Sequence, residues 1–323
     1  MDYRRLGQSG LKVSELCLGT MQFGWTADEK TSLEVLNAAY EAGINFIDTA
    51  DVYSRWVDGN PGGIAESIIG IWIKQSHIPR DQLILATKVR SKLGSGPNDE
   101  GLSRVHIMHA VEASLQRLGV DYIDLYQAHA FDDQTSIEET LHALDDLVRQ
   151  GKVRYIGCSN YPAWRLTDAI WTSKCNHLAS FTTLQPHYNL AHRVEFEREL
   201  SQVCREYGLG VIPYSPLAAG FLTDKYQRGQ AEPVSDRIRG VKRRSFNDKG
   251  WTIHEAVENL ARQKGKSVSQ IALAWLLSNP LITSPIIGPR SLDQLNDNLG
   301  SVGLRLNAEE KNSLDQVSAW QDE

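Results

Sequence analysis

The feature that most constrains this chain is a rhythm of two periods. Short, mostly apolar runs alternate with longer stretches of helical spacing almost from end to end. After an opening YRRLGQSGLKV, which reads as a small hairpin turning at Gln8-Ser9-Gly10, strands are expected at ELCLG (15–19), NFID (45–48), LILATK (83–88), YIDLYQ (122–127), RYIGCS (154–159), FTTLQ (181–185), GVIPY (210–214) and SPIIG (284–288). Amphipathic stretches lie between them. Four of these close on Gly43, Gly119, Gly151 and Gly208, where glycine supplies a left-handed helix end at little steric cost. Strands joined by helices must run parallel and be covered on both faces, and eight such units close into a (β/α)8 TIM barrel. An open doubly wound sheet is the alternative. Neither G-x-G-x-x-G nor G-x-x-x-x-G-K-[ST] occurs, which counts against it. One domain over 1–323 is expected, with an N-terminal β-hairpin and a long connection, roughly 215–250, after the seventh strand; a loop of that length is usually functional.

Composition narrows the function classes. With 41% hydrophobic and 23% charged residues, the 323-residue chain has material for a large core, and its formal charge of −6 disfavours nucleic acid or an anionic membrane as a partner. Cys17, Cys158, Cys175 and Cys204 are scattered, without C-x-x-C pairs or histidines at zinc spacing, so they read as buried or semi-buried thiols of a reducing compartment. No metal is expected. The start MDYRRLGQSG has no apolar signal core, and the longest apolar run, IALAWLL (271–277), is too short to span a bilayer. A cytoplasmic protein is expected.

In a closed parallel barrel the C-terminal strand ends converge on one face, where active sites of this architecture sit. The second strand ends in Asp48 with Tyr53 just beyond, the third in Lys88, the fourth in Tyr126-Gln127 with His129 following. Then come Ser159-Asn160, Gln185, Tyr214-Ser215, and Gly288 with Arg290. Singly, each has a bland reading as a cap, a solvated charge or a packing group. Together, ionisable residues on three consecutive strand ends, facing a row of amides and hydroxyls, point to a site. A free phenol titrates near ~10 and is a poor acid at neutral pH. A neighbouring ammonium is expected to lower that value, and a carboxylate keeps the ammonium charged and in place. Asp48, Lys88 and Tyr53 have the parts for such a relay, and a neutral His129 could orient a carbonyl oxygen. No G-x-S-x-G elbow is present, which disfavours acyl transfer.

With these residues in view, the sequence resembles the aldo-keto reductase family over nearly its whole length. The motifs are YRRLGQSGLKVSELCLGTMQFG, INFIDTADVY, ILATKV, VDYIDLYQAHAFD, VRYIGCSNY, LQPHYNL, PYSPLAAGFLTDKY and IIGPRSLDQLNDNL, in that order. The resemblance implies a barrel that binds NADPH and reversibly reduces a small-molecule aldehyde or ketone. In it Tyr53 is the general acid, Asp48 and Lys88 tune it, and His129 positions the carbonyl. It further implies that Ser159, Asn160 and Gln185 bond the nicotinamide amide, that Tyr214 stacks on the ring, and that Gly19, Thr20, Met21 and Ser215 lie along the cofactor. Leu217, Gly220, Leu222 and Lys225 fall where the family's loop crosses the pyrophosphate. Gly288, Arg290, Gln294 and Asn298 fall at the 2′-phosphate and adenine end. The chain reads LTDKY where LTGKY is usual, so Asp224 puts the approach of Lys225 to an anion in question.

Two further segments admit more than one reading. The cluster RIRGVKRR (237–244) is either a solvated charged face or a clamp on the cofactor phosphates. Met21, Trp25, Trp56 and Tyr126 are candidates for an apolar substrate pocket, open to sugars, pyridoxal, aromatic aldehydes or polyketide-like ketones. A redox-sensing subunit resembling potassium-channel β-subunits is the rival function, weakened by the lack of a long segment before Tyr3. A metal-dependent sugar-phosphate barrel enzyme would need several strand-end carboxylates, and Asp48 alone is available.

Overall fold

Eight of the expected apolar runs pair side by side in a parallel sheet that curls on itself. The computed structural model describes residues 1–230 and 238–320. Strands β1 (Tyr3–Arg5) and β2 (Lys12–Ser14) form the antiparallel hairpin, closed by the Leu6 N–H donating to the Leu11 carbonyl. The sheet then takes β3 (Cys17–Gly19), β4 (Phe46–Asp48), β5 (Ile84–Val89), β6 (Ile123–Ala128), β7 (Val153–Ser159), β8 (Phe181–Gln185), β9 (Gly210–Val211) and β10 (Ile286–Ile287), in the order β10-β3-β4-β5-β6-β7-β8-β9. Closure comes from backbone bonds just beyond β9. Thr283 N–H donates to Val211 O at 2.8 Å and Ile286 N–H to Pro213 O at 2.9 Å, so the last strand meets the seventh and the barrel shuts.

The α-helices among the described residues are α1 (Glu29–Glu41), α2 (Ile64–Ser76), α3 (Arg104–Leu118), α4 (Ile137–Arg149), α5 (Ala163–Cys175), α6 (Ser201–Tyr207), α7 (Ile238–Ser245), α8 (Asp248–Lys264), α9 (Val268–Leu277), α10 (Leu292–Leu299) and α11 (Ala308–Val317). Local chemistry starts and stops them. Side chains of Asp28, Ser103, Ser136, Asn247 and Ser291 each accept the N–H three residues on, and Ser267 and Asn307 make full capping boxes. Gly43, Gly119, Gly151 and Gly208 all have positive φ, as expected at the ends of α1, α3, α4 and α6.

The two-residue period of the strands sorts side chains between two cores. Cys17, Phe46, Ile84, Ala86, Leu125, Ile212 and Ile286 point into the barrel, where Leu6 and Val13 of the hairpin join them. Leu18, Ile47, Leu85, Tyr126, Cys158 and Leu184 point outward and pack with the helices. That alternation, continued to the strand ends, decides which polar residues enter the site.

Three expectations change. The seventh and eighth strands are far shorter than GVIPY and SPIIG imply, because Pro213 and Pro285 have no N–H to give a ladder. The connection after β9 is not all loop: Ile238–Ser245 is helical, with Val241 and Ser245 buried at helical spacing. Cys175 is exposed, whereas the other three thiols are buried. Among the described residues no helix is long and apolar enough to cross a membrane, and no three His, Cys, Asp or Glu side chains cluster to hold a metal ion.

Candidate active site

Strand parity turns Asp48, Lys88, Gln127, Ser159 and Gln185 inward at the C-terminal mouth of the barrel. Lys88 is fully buried and donates from Nζ to three oxygens: Asp48 Oδ2 at 2.5 Å, Thr49 O at 2.7 Å and Tyr53 Oη at 3.0 Å. Burial by itself would lower the lysine pKa; the adjacent Asp48 carboxylate and Tyr53 outweigh it and raise it, so the ammonium keeps its charge. Asp48 Oδ1 accepts from Gln185 Nε2 at 2.8 Å and from Gln127 Nε2 at 3.0 Å, so both carboxylate oxygens are hydrogen-bonded.

Tyr53 corrects one expectation. Its pKa is raised rather than lowered, because burial of the phenol outweighs the pull of Lys88, and Asp48 adds to the rise. The phenol therefore carries its proton across the neutral range, which is the form a carbonyl oxygen needs from an acid. Ser54 follows Tyr53 in a tied turn. Its backbone is left-handed (φ 69°), and its hydroxyl donates to Phe23 O at 2.5 Å.

His129 follows β6 and tethers back through its N–H to Val89 O at 2.9 Å. Its ring stands edge-on to Tyr53 with centroids 6.1 Å apart. Burial, then Lys88 and Arg90, push its pKa down to about 3, so the imidazole is neutral. His187 behaves alike, pushed down to about 3 by burial, His192 and Arg244. Two neutral rings have a stability consequence. Below pH ~6.5 the unfolded chain binds protons that the folded rings refuse, so stability falls progressively as pH drops from about 6.5 toward about 3. Thermal unfolding should give a lower Tm at pH ~5 than at pH ~7, and His187→Gln should narrow that gap. An unaltered gap would exclude His187 as a source.

One continuous cavity of about 590 Å³ joins Asp48, Tyr53 and His129 at one end to Gly288, Arg290, Gln294 and Asn298 at the other. Between them it is lined by Gly19, Thr20, Met21, Ser159, Asn160, Gln185, Tyr214, Ser215, Leu217, Gly220 and Lys225. Its size suits an extended small ligand. Tyr214 is held rigid: its ring stacks on His187 at 5.1 Å and 9°, His187 stacks on His192, and its hydroxyl donates to Asn160 Oδ1 at 3.0 Å. Asn160 in turn donates to His129 O and to Ser159 Oγ. The loop beside Tyr214 is conformationally strained, since Ser215, Ala218 and Ala219 all have φ near 50° with Gly220 at 96°. Such backbone costs roughly 1–3 kcal/mol per non-glycine residue and is characteristic of ligand clamps.

The far end suits a phosphate. A Cβ on Gly288 would meet only Gln22 Nε2, at 3.7 Å, so it would project into open cavity space, and glycine leaves that space to a ligand. Ser291 caps α10, and the Arg290 guanidinium has no carboxylate partner among the described residues. Asp224 turns to the start of α9, accepting from Val268 N–H at 3.3 Å, and Lys225 still lines the cavity beside it. Asp293 and Asp297 also line this end and partly offset its positive charge.

Four expected site residues lie elsewhere. Tyr126 points outward, fully buried, near Asp51, Glu66 and Arg117; it sits one strand position out of phase with the mouth. Leu222 packs in the outer core, tied to the loop by its N–H to Leu217 O. Trp25 and Trp56 do not line the cavity. They meet edge to face at 5.4 Å, and Trp56, about half exposed, stands 6.5 Å from the Tyr53 ring at the rim. Of the basic cluster, Arg237 and the Arg239 side chain lie outside what the structure describes, and Ile238, Gly240, Val241, Lys242, Arg243 and Arg244 do not line the cavity. Conversely, Gln127 was legible as a strand end but carried no sign of its role, which depends on a partner 79 positions away.

Residues 15–319 match the sequence profile of the Aldo/keto reductase family. The chain belongs to that family. Among curated relatives, an uncharacterized oxidoreductase, YrpG, of Bacillus subtilis is 40% identical over 98% of this chain and 96% of its own length. Versiconal hemiacetal acetate reductase of Aspergillus parasiticus is 37% identical over 98% and 96%. A probable voltage-gated potassium channel subunit beta of Arabidopsis thaliana is 35% identical over 94% and 91%. As an aldo/keto reductase the chain is an oxidoreductase of a family that reduces carbonyl groups with nicotinamide cofactors.

Proposed function

We propose that this aldo/keto reductase uses NADPH to reduce an aldehyde or ketone to an alcohol, reversibly, in the cytoplasm. The supporting observation is a partly buried phenol that accepts a hydrogen bond from a fully buried lysine, at one end of a cavity that runs on to an arginine with no carboxylate partner among the described residues, beside a capped helix start. NADPH held by the cavity-lining residues would supply the hydride. Every other element of the chemistry belongs to the chain. Tyr53 gives its proton to the carbonyl oxygen as negative charge develops there; Lys88 stabilises the phenolate left behind, and Asp48 keeps Lys88 charged and fixed. Neutral His129 orients the carbonyl oxygen without competing as an acid. Tyr214, backed by His187, offers a flat face to the nicotinamide, and Ser159, Asn160 and Gln185 offer polar groups to its amide. Arg290 and the start of α10 would hold the 2′-phosphate.

Trp56 beside Tyr53, with Trp25 packed edge to face against it, forms an aromatic rim suited to selecting the carbonyl substrate rather than the cofactor. Trp56→Ala should change kcat/KM unequally across small and bulky aldehydes, by roughly 10-fold for the bulkier ones, and leave NADPH affinity alone. A uniform change across the panel would reduce the indole to loop support. A substrate panel that includes sugars, aromatic aldehydes and polyketide-like ketones, followed by NADPH absorbance, tests the reading as a whole: some member should be consumed catalytically. The likeness to potassium channel β-subunits favours a second reading, cofactor binding with little turnover, which such a panel would show as tight NADPH binding and no catalytic consumption.

A further inference from the structure

We infer that Gln127 is a positioning residue for the proton donor: its amide holds the Asp48 carboxylate against Lys88, so that Tyr53 shares Lys88 with a fixed counter-charge. This rests on the carbonyl-reductase reading of the site. Gln127 is fully buried, points into the barrel and does not line the cavity, so it reaches neither cofactor nor substrate. Its Nε2 donates to Asp48 Oδ1 at 3.0 Å, and its Oε1 accepts from Gln185 Nε2 at 3.2 Å. Gln185 Nε2 also donates to the same Oδ1, at 2.8 Å. The two amides thus grip one carboxylate oxygen while Lys88 takes the other. The Gln127 carbonyl also fixes which way round the Gln185 amide lies, leaving the Gln185 oxygen as the group not committed to Asp48.

The consequence falls on Tyr53. Groups facing it are Lys88 on β5, Asp48 on β4, Cys17 on β3, His129 after β6 and Tyr214 after β9; Lys88 favours the phenolate, whereas Asp48 and Cys17 oppose it. Without the Gln127 donor, Asp48 Oδ1 keeps only the Gln185 bond and Gln185 itself loses its stop, so Asp48 can turn from Lys88. A less neutralised ammonium then pulls harder on the phenol. Tyr53 loses its proton at lower pH, and reduction fails earlier on the alkaline side.

The test is kcat for carbonyl reduction across pH in wild type and Gln127→Leu, at saturating NADPH, alongside NADPH affinity by fluorescence titration. Expected for the variant are an affinity within about 3-fold of wild type, kcat lower by about 10-fold at neutral pH, and an alkaline limb displaced toward lower pH. In an Asp48→Asn background the same substitution should add little, because the clamped carboxylate is gone. An even loss at every pH, or no loss, overturns the positioning role. Gln127→Met keeps length without a donor and should repeat the result; failure of both variants to bind NADPH would make the residue a structural one and also overturn the proposal. If wild type reduces no carbonyl at all, the functional reading fails first and this inference falls with it.

Discussion

Tyr53→Phe should bind NADPH as well as the wild type, within about 2-fold, and reduce carbonyls at least ~100-fold more slowly. The substitution deletes one oxygen and leaves the ring. Lys88 still donates to Asp48 Oδ2 and Thr49 O, so no buried charge is stranded and the fold should hold. The ring contacts with Trp56 and His129 persist, which keeps the mouth in shape. What disappears is the acid. His129 cannot substitute, because a ring whose pKa is pushed down to about 3 carries no proton to give at neutral pH. Steady-state rates with a responsive aldehyde, together with a fluorescence titration of NADPH, check both halves. A variant that keeps most of its turnover would remove Tyr53 from the proton path.

Arg290→Ala should weaken NADPH binding by roughly 1.5–3 kcal/mol, about 10- to 150-fold, and leave NADH nearly unaffected. The reasoning is local. Ser291 caps α10 through Gln294 N–H, Gln294 Oε1 accepts from Arg290 N–H, and both are backbone-level contacts that alanine at 290 preserves. Only the guanidinium goes. NADH presents a ribose hydroxyl where NADPH has its phosphate and cannot use that charge. The nearby Asp293 and Asp297 sharpen the outcome, since without Arg290 this end of the cavity is net acidic on its α10 side. Titrations with each cofactor decide it: equal losses for both would place Arg290 in a structural role.

Much of this site could be read from residue order. Asp48, Lys88, Ser159 and Gln185 each end an apolar run, and in a barrel that position and the inward phase coincide. Tyr126 shows where the reading slips. It also stands at a strand end, but the two-residue period puts it on the outer face and Gln127 on the inner, and an unaligned run of six buried residues does not reveal its phase. The short strands β9 and β10 read too long in the sequence because IPY and SPI are apolar enough to look like ladder, although their prolines cannot donate to one. Helix α7 is hidden in the sequence for the opposite reason: IRGVKRRS is too basic and carries Gly240, yet Ile238, Val241 and Ser245 fall on one face. The sign of the Tyr53 shift was out of reach, because it is set by how dry the phenol is, and burial is a property of the packed whole rather than of NFIDTADVY.

The central claim is that hydride passes to a carbonyl carbon while Tyr53 protonates its oxygen, many times over. The direct measurement is to incubate the protein with excess aldehyde and NADPH carrying deuterium at the transferable position, and to weigh the alcohol formed by mass spectrometry. The account predicts many equivalents of alcohol per protein, each with one deuterium on the former carbonyl carbon. Unlabelled alcohol, or product that stops at a single equivalent, would contradict it.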